Sequence, residues 1–317
     1  MGSRNDALVF TPVRHFHPGE TLREKLNEME MSVKELSVRT GETEQALLEV
    51  LDCRSAINAR LALRLEYVTS VPADFWLRKQ SNYDLYVAQN SGLFVGDSIK
   101  RWLDSFPLSE MVKHGWLKDS QTTEEMAESV LHFFGVVSPE AWENYYFKQK
   151  LKVAFRISLA GTVNPYALSA WLRKGELQAQ EIHVDATFNR KKLKETIPDI
   201  VCILNYPDKD FIPRLRDALA GLGIKLIFTK SLRGVPVKGA SRWVYGSPCI
   251  QLLQETEMYD NFCYTVLHEL GHICLHGKKD VFLENAGFAP EDPEYTRKES
   301  EADIFARNYM STPTGNL

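Results

Sequence analysis

The chain is 317 residues long with a formal charge of −4, which allows two domains and a connector. A pI near 6.1 excludes the broad basic field that marks a general nucleic-acid binder. No apolar run is long enough to span a bilayer, no signal peptide is visible, and Met1-Gly2-Ser3-Arg4-Asn5-Asp6 lacks the hydroxyl residue expected for myristoylation.

The first elements are short helices. After His17-Pro18-Gly19-Glu20, residues Leu22, Leu26 and Met29 form one apolar stripe. Ser32 precedes Val33–Gly41 as a capping residue, with Glu35 at the capping-box position and Gly41 as a terminal glycine. A third helix is expected from about Thr43 to Leu51, with Ala46, Leu47, Val50 and Leu51 inward. Two short helices around a glycine turn are the helix-turn-helix plan. The run from Ile57 to Val71, then Pro72-Ala73-Asp74-Phe75-Trp76-Leu77, completes an all-helical unit. Its phrases H-P-G-E-x-L, A-L-R-L-E and F-W-L-R-K-Q-S-N-Y-D-L resemble HigA-like antitoxin domains of the XRE class, over about Phe16 to Ala88.

That resemblance implies DNA binding, and one departure weighs against it. Glu42, Glu44, Glu49 and Asp52 occupy the recognition region, with no Lys or Arg between Arg39 and Arg54. Phosphates repel carboxylates, and their attraction to cations supplies most non-specific affinity. Thr43, Gln45 and Glu44 remain able to read base edges, glutamate by accepting from cytosine. Arg54, Arg60 and Arg64 are the cations placed to approach the backbone. The competing reading keeps this helix-turn-helix for dimerisation or partner binding.

A helical middle follows. Ser98–Asp104, Glu124–Phe134 and Pro139–Lys150 have helical periodicity, with turns at Ser105-Phe106-Pro107 and Val136-Val137-Ser138-Pro139. The aromatics Trp142, Tyr145, Tyr146 and Phe147 read as core. Pro165–Glu176 resembles the A-W-L-R-x-G-E phrase found upstream of a peptidase in fusions of this kind. The cysteines, at 53, 202, 249, 263 and 274, are odd in number and mostly within apolar runs. That suits reduced, buried thiols in a cytoplasmic protein.

The chemistry concentrates near the end. A helix ends at Gly223-Ile224, a strand follows at Lys225–Phe228, and a second strand at Cys249–Leu253 follows a hairpin turn at Gly246-Ser247-Pro248. Thr265–Cys274 then reads T-V-L-H-E-L-G-H-I-C. Histidines four apart on a helix lie one above the other, so His268 and His272 can share one Zn²⁺. Glu269 between them can reach a water on that metal. Two histidines and a glutamate on an apolar helix would be costly to bury without an ion. His276 lies one turn further on and reads as a helix-end histidine favoured by the dipole, with Gly277 as the stop. A third protein ligand is needed, and Lys298–Ala306 offers it. Glu299 and Asp303, four apart, fit the gluzincin arrangement of a Glu ligand and an Asp that accepts the far N–H of a ligand histidine. Glu301 is the competing ligand.

With Gly239-Ala240-Ser241-Arg242-Trp243, F-x-x-T-V-L-H-E-L-G-H-I-C-L-H and E-S-E-A-D-I-F-A in place, the segment from about Asp210 to Pro313 resembles the ImmA/IrrE family of metallopeptidases. The resemblance implies zinc-dependent cleavage of a regulatory protein, with an extended substrate added to a sheet edge. Relatives usually continue beyond a similar proline, so a truncated or short form is expected at Thr312–Leu317.

The resulting expectation is a multidomain, mainly α protein. It comprises an all-α helix-turn-helix domain at 1–90, a helical connector at 91–185, and an α+β zincin-like peptidase domain with a small sheet at 186–317. Its function would be regulatory endopeptidase action on a repressor or antitoxin-like protein, in a phage, mobile-element, stress or toxin–antitoxin circuit. The alternative is a HigA-like DNA-binding antitoxin or repressor whose peptidase fold is inactive or structural. Expected partners are the protein substrate, operator DNA, a cognate toxin and a second copy through the N-terminal domain, with no membrane. No second electrophile is assignable; Arg242 and Tyr264 are merely close in sequence.

Overall fold

A computed structural model describes residues 16–90, 97–150, 164–254, 259–278, 280–285 and 293–310, with side chains undescribed at 89–90, 97, 147–150, 259–261 and 285. The terminal run 311–317 therefore lies outside the described residues, as does the myristoylation position. The chain divides into two compact units, Met1–Leu93 and Phe94–Leu317. It is mainly helical with one small mixed sheet.

The first unit is five helices: α1 (Pro18–Glu28), α2 (Val33–Thr40), α3 (Glu44–Leu51), α4 (Ala59–Thr69) and α5 (Ala73–Asn90). Local chemistry sets each boundary. Ser32 Oγ accepts from Glu35 N at 3.1 Å to start α2, and Gly41 closes it in the left-handed region at φ 69°. Thr43 Oγ1 accepts from Ala46 N at 3.2 Å to start α3, and Asn58 caps α4. Leu22, Leu26, Leu36, Leu47, Leu65 and Trp76 close one core around this frame.

The second unit continues with α6 (Asp97–Leu103), α7 (Leu108–Lys113), α8 (Thr123–Phe134), α9 (Pro139–Trp142), a π-helical turn at Glu143–Lys150 and α10 (Pro165–Glu181). Then come α11 (Arg190–Asn205), α12 (Phe211–Ala220), β1 (Lys225–Thr229), β2 (Val237–Val244), β3 (Ser247–Leu253), α13 (Tyr259–Leu275), β4 (Phe282–Asn285) and α14 (Pro293–Met310). Strand order is β1-β3-β2-β4; β1 runs parallel to β3, and the other pairs are antiparallel. The β2–β3 hairpin turns on Tyr245 and Gly246, both at positive φ (50° and 83°), as a two-residue primed turn requires.

Side chains alternate across this sheet. Leu226, Ile250 and Leu252 face one core with α11, α12, α13 and α14. Ile227, Cys249 and Val244 face Ala179 of α10 on the other side. Val237, Ala240, Phe282 and Leu283 join Trp102, Phe134, Trp142, Tyr146 and Trp171 in a third cluster. Helices expected as a connector thus share a core with the sheet inside the second unit. Trp142 and Tyr146 are core as expected, whereas Tyr145 is exposed.

A polar network lies between α10 and the sheet. Gln251 Nε2 donates to Trp171 O at 2.8 Å and to Thr229 Oγ1 at 3.0 Å, while Arg242 Nη2 donates to Gln251 Oε1 at 3.0 Å. Gly175 permits this contact, since a Cβ there would fall 2.0 Å from Gln251 Oε1. None of the five cysteines is in a disulfide; 249, 263 and 274 are buried, and Cys202 is exposed. Among the described residues no helix is long and apolar enough to cross a membrane.

Candidate metal centre

Helix α13 carries the H-E-x-x-H residues through the second unit, and every one of them is buried: His268 and His272 at 2% exposure and Glu269 at 0%. Its apolar residues Val266, Leu267, Leu270 and Ile273 pack into the core shared with α11, α12 and the sheet. Helix α14 approaches closely because position 271 is glycine; a Cβ there would lie 3.2 Å from Ala302 Cα and from Phe305 Cδ1. That approach brings Glu299 to the histidines.

Three donors converge. His268 Nε2 and His272 Nε2 are 3.0 Å apart, Glu299 Oε2 is 3.3 Å from the first and Glu299 Oε1 3.5 Å from the second. Among the described residues, this trio is the one group of ligand-type side chains gathered closely enough to hold an ion. A tetrahedral zinc with bonds of about 2.0–2.1 Å separates its ligand atoms by about 3.3 Å, so these spacings fit. The donor chemistry fits as well. Two imidazole lone pairs cannot face each other beside a carboxylate without a cation between them, either a proton or a metal.

The charge states express the same demand. Burial works against a charge on His268, but the hydrogen-bonded Glu299 carboxylate outweighs it and lifts the pKa to about 9. Burial lowers His272 to about 4, with Glu299 only partly offsetting it. Burial alone would raise Glu299; the two histidines reverse that and hold it at about 2.

Glu269 stands apart. Its two carboxylate oxygens are buried with no hydrogen-bond partner, and burial pushes its pKa up to about 8. Strand β2 passes so near that a Cβ at Gly239 would lie 2.9 Å from Glu269 Oε1. Asp303 Oδ1 lies 3.0 Å from His268 Nδ1 and accepts from Tyr264 Oη.

Other assignments change. Glu301, the competing ligand, does not join the trio; its Oε2 is 3.1 Å from His276 Nε2. His276 directly follows the last residue of α13, at the helix end where the sequence put it, and it is buried with Nδ1 3.0 Å from His272 Nδ1. Arg242 reaches the α10 side of the sheet and so cannot steady an oxyanion, and Tyr264 is engaged with Asp303. Glu284 on β4, opposite Gly239, had no sequence signal; burial raises its pKa. Tyr295 packs near the trio, its pKa driven well up by burial and then by Glu299.

In the first unit, Thr43, Glu44, Gln45 and Arg54 are all exposed, as base or phosphate contacts would have to be. Charge is the difficulty. Arg54 pairs with Asp52 at 2.9 Å, Arg64 pairs with Glu42, and Gln45 Nε2 donates to Glu49 Oε1 at 3.2 Å.

No family model and no curated protein matches the chain. Solved structures similar to part of it are HigA-like antitoxins. The Pseudomonas aeruginosa antitoxin HigA, solved with the higBA promoter, is 31% identical over 25% of this chain and 87% of that chain, with a TM-score of 0.24. Antitoxin GraA is 34% identical over 25% of this chain and 86% of that chain, with a TM-score of 0.24. An addiction module antidote protein of the HigA family from Coxiella burnetii is 24% identical over 34% of this chain and 99% of that chain, with a TM-score of 0.24.

Proposed function

We propose that the second unit is a zinc-dependent endopeptidase of ImmA/IrrE type, acting on a repressor or antitoxin-like protein. The observation that carries this is the convergence of His268, His272 and Glu299 beside a fully buried, unpartnered Glu269. Those three residues would hold the zinc, which supplies a Lewis acid and lowers the pKa of water. Glu269 would serve as the general base, accepting a proton from the water that attacks the peptide carbonyl. Glu269 then delivers that proton to the leaving amine. Asp303 Oδ1 stands 3.0 Å from the far nitrogen of His268, and Tyr264 Oη donates to Asp303. Strand β4 is an edge of the sheet, and its outer backbone groups can receive an extended substrate segment by strand addition.

The test is zinc content of the purified chain, followed by cleavage of the neighbouring gene's product on co-expression with the wild type and with Glu269→Gln. Stoichiometric zinc with cleavage lost in the variant supports the reading. Absence of zinc, or equal cleavage by both, overturns it.

A second reading takes the chain as a DNA-binding antitoxin or repressor with a structural second unit. Helices α2 and α3 favour it, because they form the two-helix turn with Thr43, Glu44 and Gln45 on an exposed helix start. Operator DNA is the ligand class that this reading proposes. Binding of the full chain to its own promoter, with no cleavage of any co-expressed partner, would establish this reading over the first.

A further inference from the structure

We propose that His276 is a positioning residue for the metal site, holding the ligand His272 by its far ring nitrogen and held in turn by Glu301. The inference rests on the zinc reading above and extends it to residues outside the ligand set.

Three imidazoles stand one turn apart on α13. His272 Nε2 faces His268 Nε2 and Glu299, while its Nδ1 lies 3.0 Å from His276 Nδ1. His276 Nε2 lies 3.1 Å from Glu301 Oε2, and Arg297 pairs with the same carboxylate. A metal on His272 Nε2 needs the lone pair there, so the ring's proton must sit on Nδ1. That N–H donates to His276 Nδ1, which must then present a lone pair. His276 is therefore neutral with its proton on Nε2, and that N–H donates to Glu301. Each tautomer follows from the one before, and the chain ends on a carboxylate that remains ionised beside Arg297.

The ring of His272 is also held from its face. Phe282 of β4 stacks on it with centroids 3.9 Å apart and planes at 11°. In-plane contact from His276 and face contact from Phe282 leave the ring little freedom to turn. His268 has the matching support, with Asp303 at its far nitrogen. Helix α14 thus supplies one ligand, Glu299, and a carboxylate behind each histidine: Asp303 directly, Glu301 through His276. Such outer partners fix ring orientation and raise ligand basicity, and losing one typically weakens metal binding about 10–100-fold.

The experiment measures zinc affinity of the full chain by competition with a chromogenic chelator, with circular dichroism to confirm folding. His276→Leu fills the space without an acceptor, whereas His276→Asn places an oxygen near where Nδ1 now lies. The expected result is affinity about 10–100-fold weaker for Leu and largely restored for Asn. Cobalt-substituted protein should show altered visible bands in the Leu variant and near-native bands in the Asn variant. Glu301→Gln, a more exposed site, should weaken zinc by a smaller factor, and serves if the His276 variants fail to fold. Wild-type zinc affinity in His276→Leu, or equal losses in Leu and Asn, would overturn the positioning role while leaving the zinc site intact. Wild-type protein that binds no zinc would overturn the zinc reading itself, and this inference with it.

Discussion

Replacing Glu269 by glutamine should stabilise the metal-free protein while abolishing its chemistry, and the stabilisation should grow with pH. The carboxyl is fully buried with no hydrogen-bond partner, and its pKa rises from 4.5 to about 8 in the folded chain. Between those values the unfolded chain has ionised the group and the folded chain has not, so folding must take up a proton. A raised acid pKa therefore costs nothing below about pH 4.5, and stability is lost as pH rises from there toward 8. At about 1.36 kcal/mol per pH unit above 4.5, the cost is roughly 1 kcal/mol at pH 5.5 and about 4 kcal/mol at pH 7.5. Glutamine has the same shape and no proton to gain. Urea unfolding of chelator-treated wild type and variant at those two pH values reads the difference directly. With zinc restored, the variant should keep its metal and lose roughly 10²–10⁴-fold in cleavage rate, the share a general base supplies. A stability difference that does not change with pH, or a variant less stable than wild type at pH 7.5, would refute the reasoning about this carboxyl.

The remaining expectations test other parts of the molecule. His268→Ala and Glu299→Ala should each lose zinc measured by elemental analysis, whereas Glu301→Ala should still fill at saturating metal; the reverse pattern for Glu299 and Glu301 would move the ligand by two residues. Because Glu299 holds His268 charged with a pKa of about 9, zinc binding at pH 7.5 should displace about one proton, measured calorimetrically in buffers of different ionisation enthalpy. Gly175→Ala would drive a Cβ into Gln251 and break its links to Trp171, Thr229 and Arg242, costing about 3 kcal/mol or more in urea unfolding. If the first unit binds DNA, Gln45→Ala should cost about 1–3 kcal/mol on the cognate site, and Glu49→Lys should strengthen binding to all sequences alike in titrations at two salt concentrations.

The first unit was legible because its rules are local. Ser32, Gly41 and Thr43 set helix ends within four residues of themselves, and each does so in the structure. The strands around Tyr245-Gly246 were legible for the same reason, although the turn begins one residue before the Gly246-Ser247-Pro248 read from the sequence. Strand β4 was not. It has only four residues, and its place beside β2 depends on a pairing across some forty positions that no local pattern encodes. Helix α11 was also missed: Pro198 interrupts an otherwise apolar-periodic run, yet the helix continues through it with Ile197, Ile200, Val201 and Leu204 buried. The charge deficit of the recognition helix was visible, but not that Arg54 and Arg64 are already paired with carboxylates. Phosphates would have to compete for them, which deepens the discount on non-specific affinity.

The metal site divides along the same line. His268, Glu269 and His272 lie on one helix, where spacing alone dictates a shared face, and Glu299 with Asp303 repeats that logic on a second helix. Where the two helices meet is not a matter of spacing. Gly271 sets the approach, and the approach decides that Glu299 faces the histidines while Glu301 faces His276. From sequence alone, a histidine four residues beyond His272 is equally compatible with a solvated helix end, so its place behind the ligand became readable only with α14 and Phe282 in position. The residues that would bind the ion are thus specified by local periodicity, whereas those that would aim them are specified by packing between elements. A sequence carrying every ligand could therefore still hold metal weakly if the contact at position 271 or the carboxylate at 301 were lost.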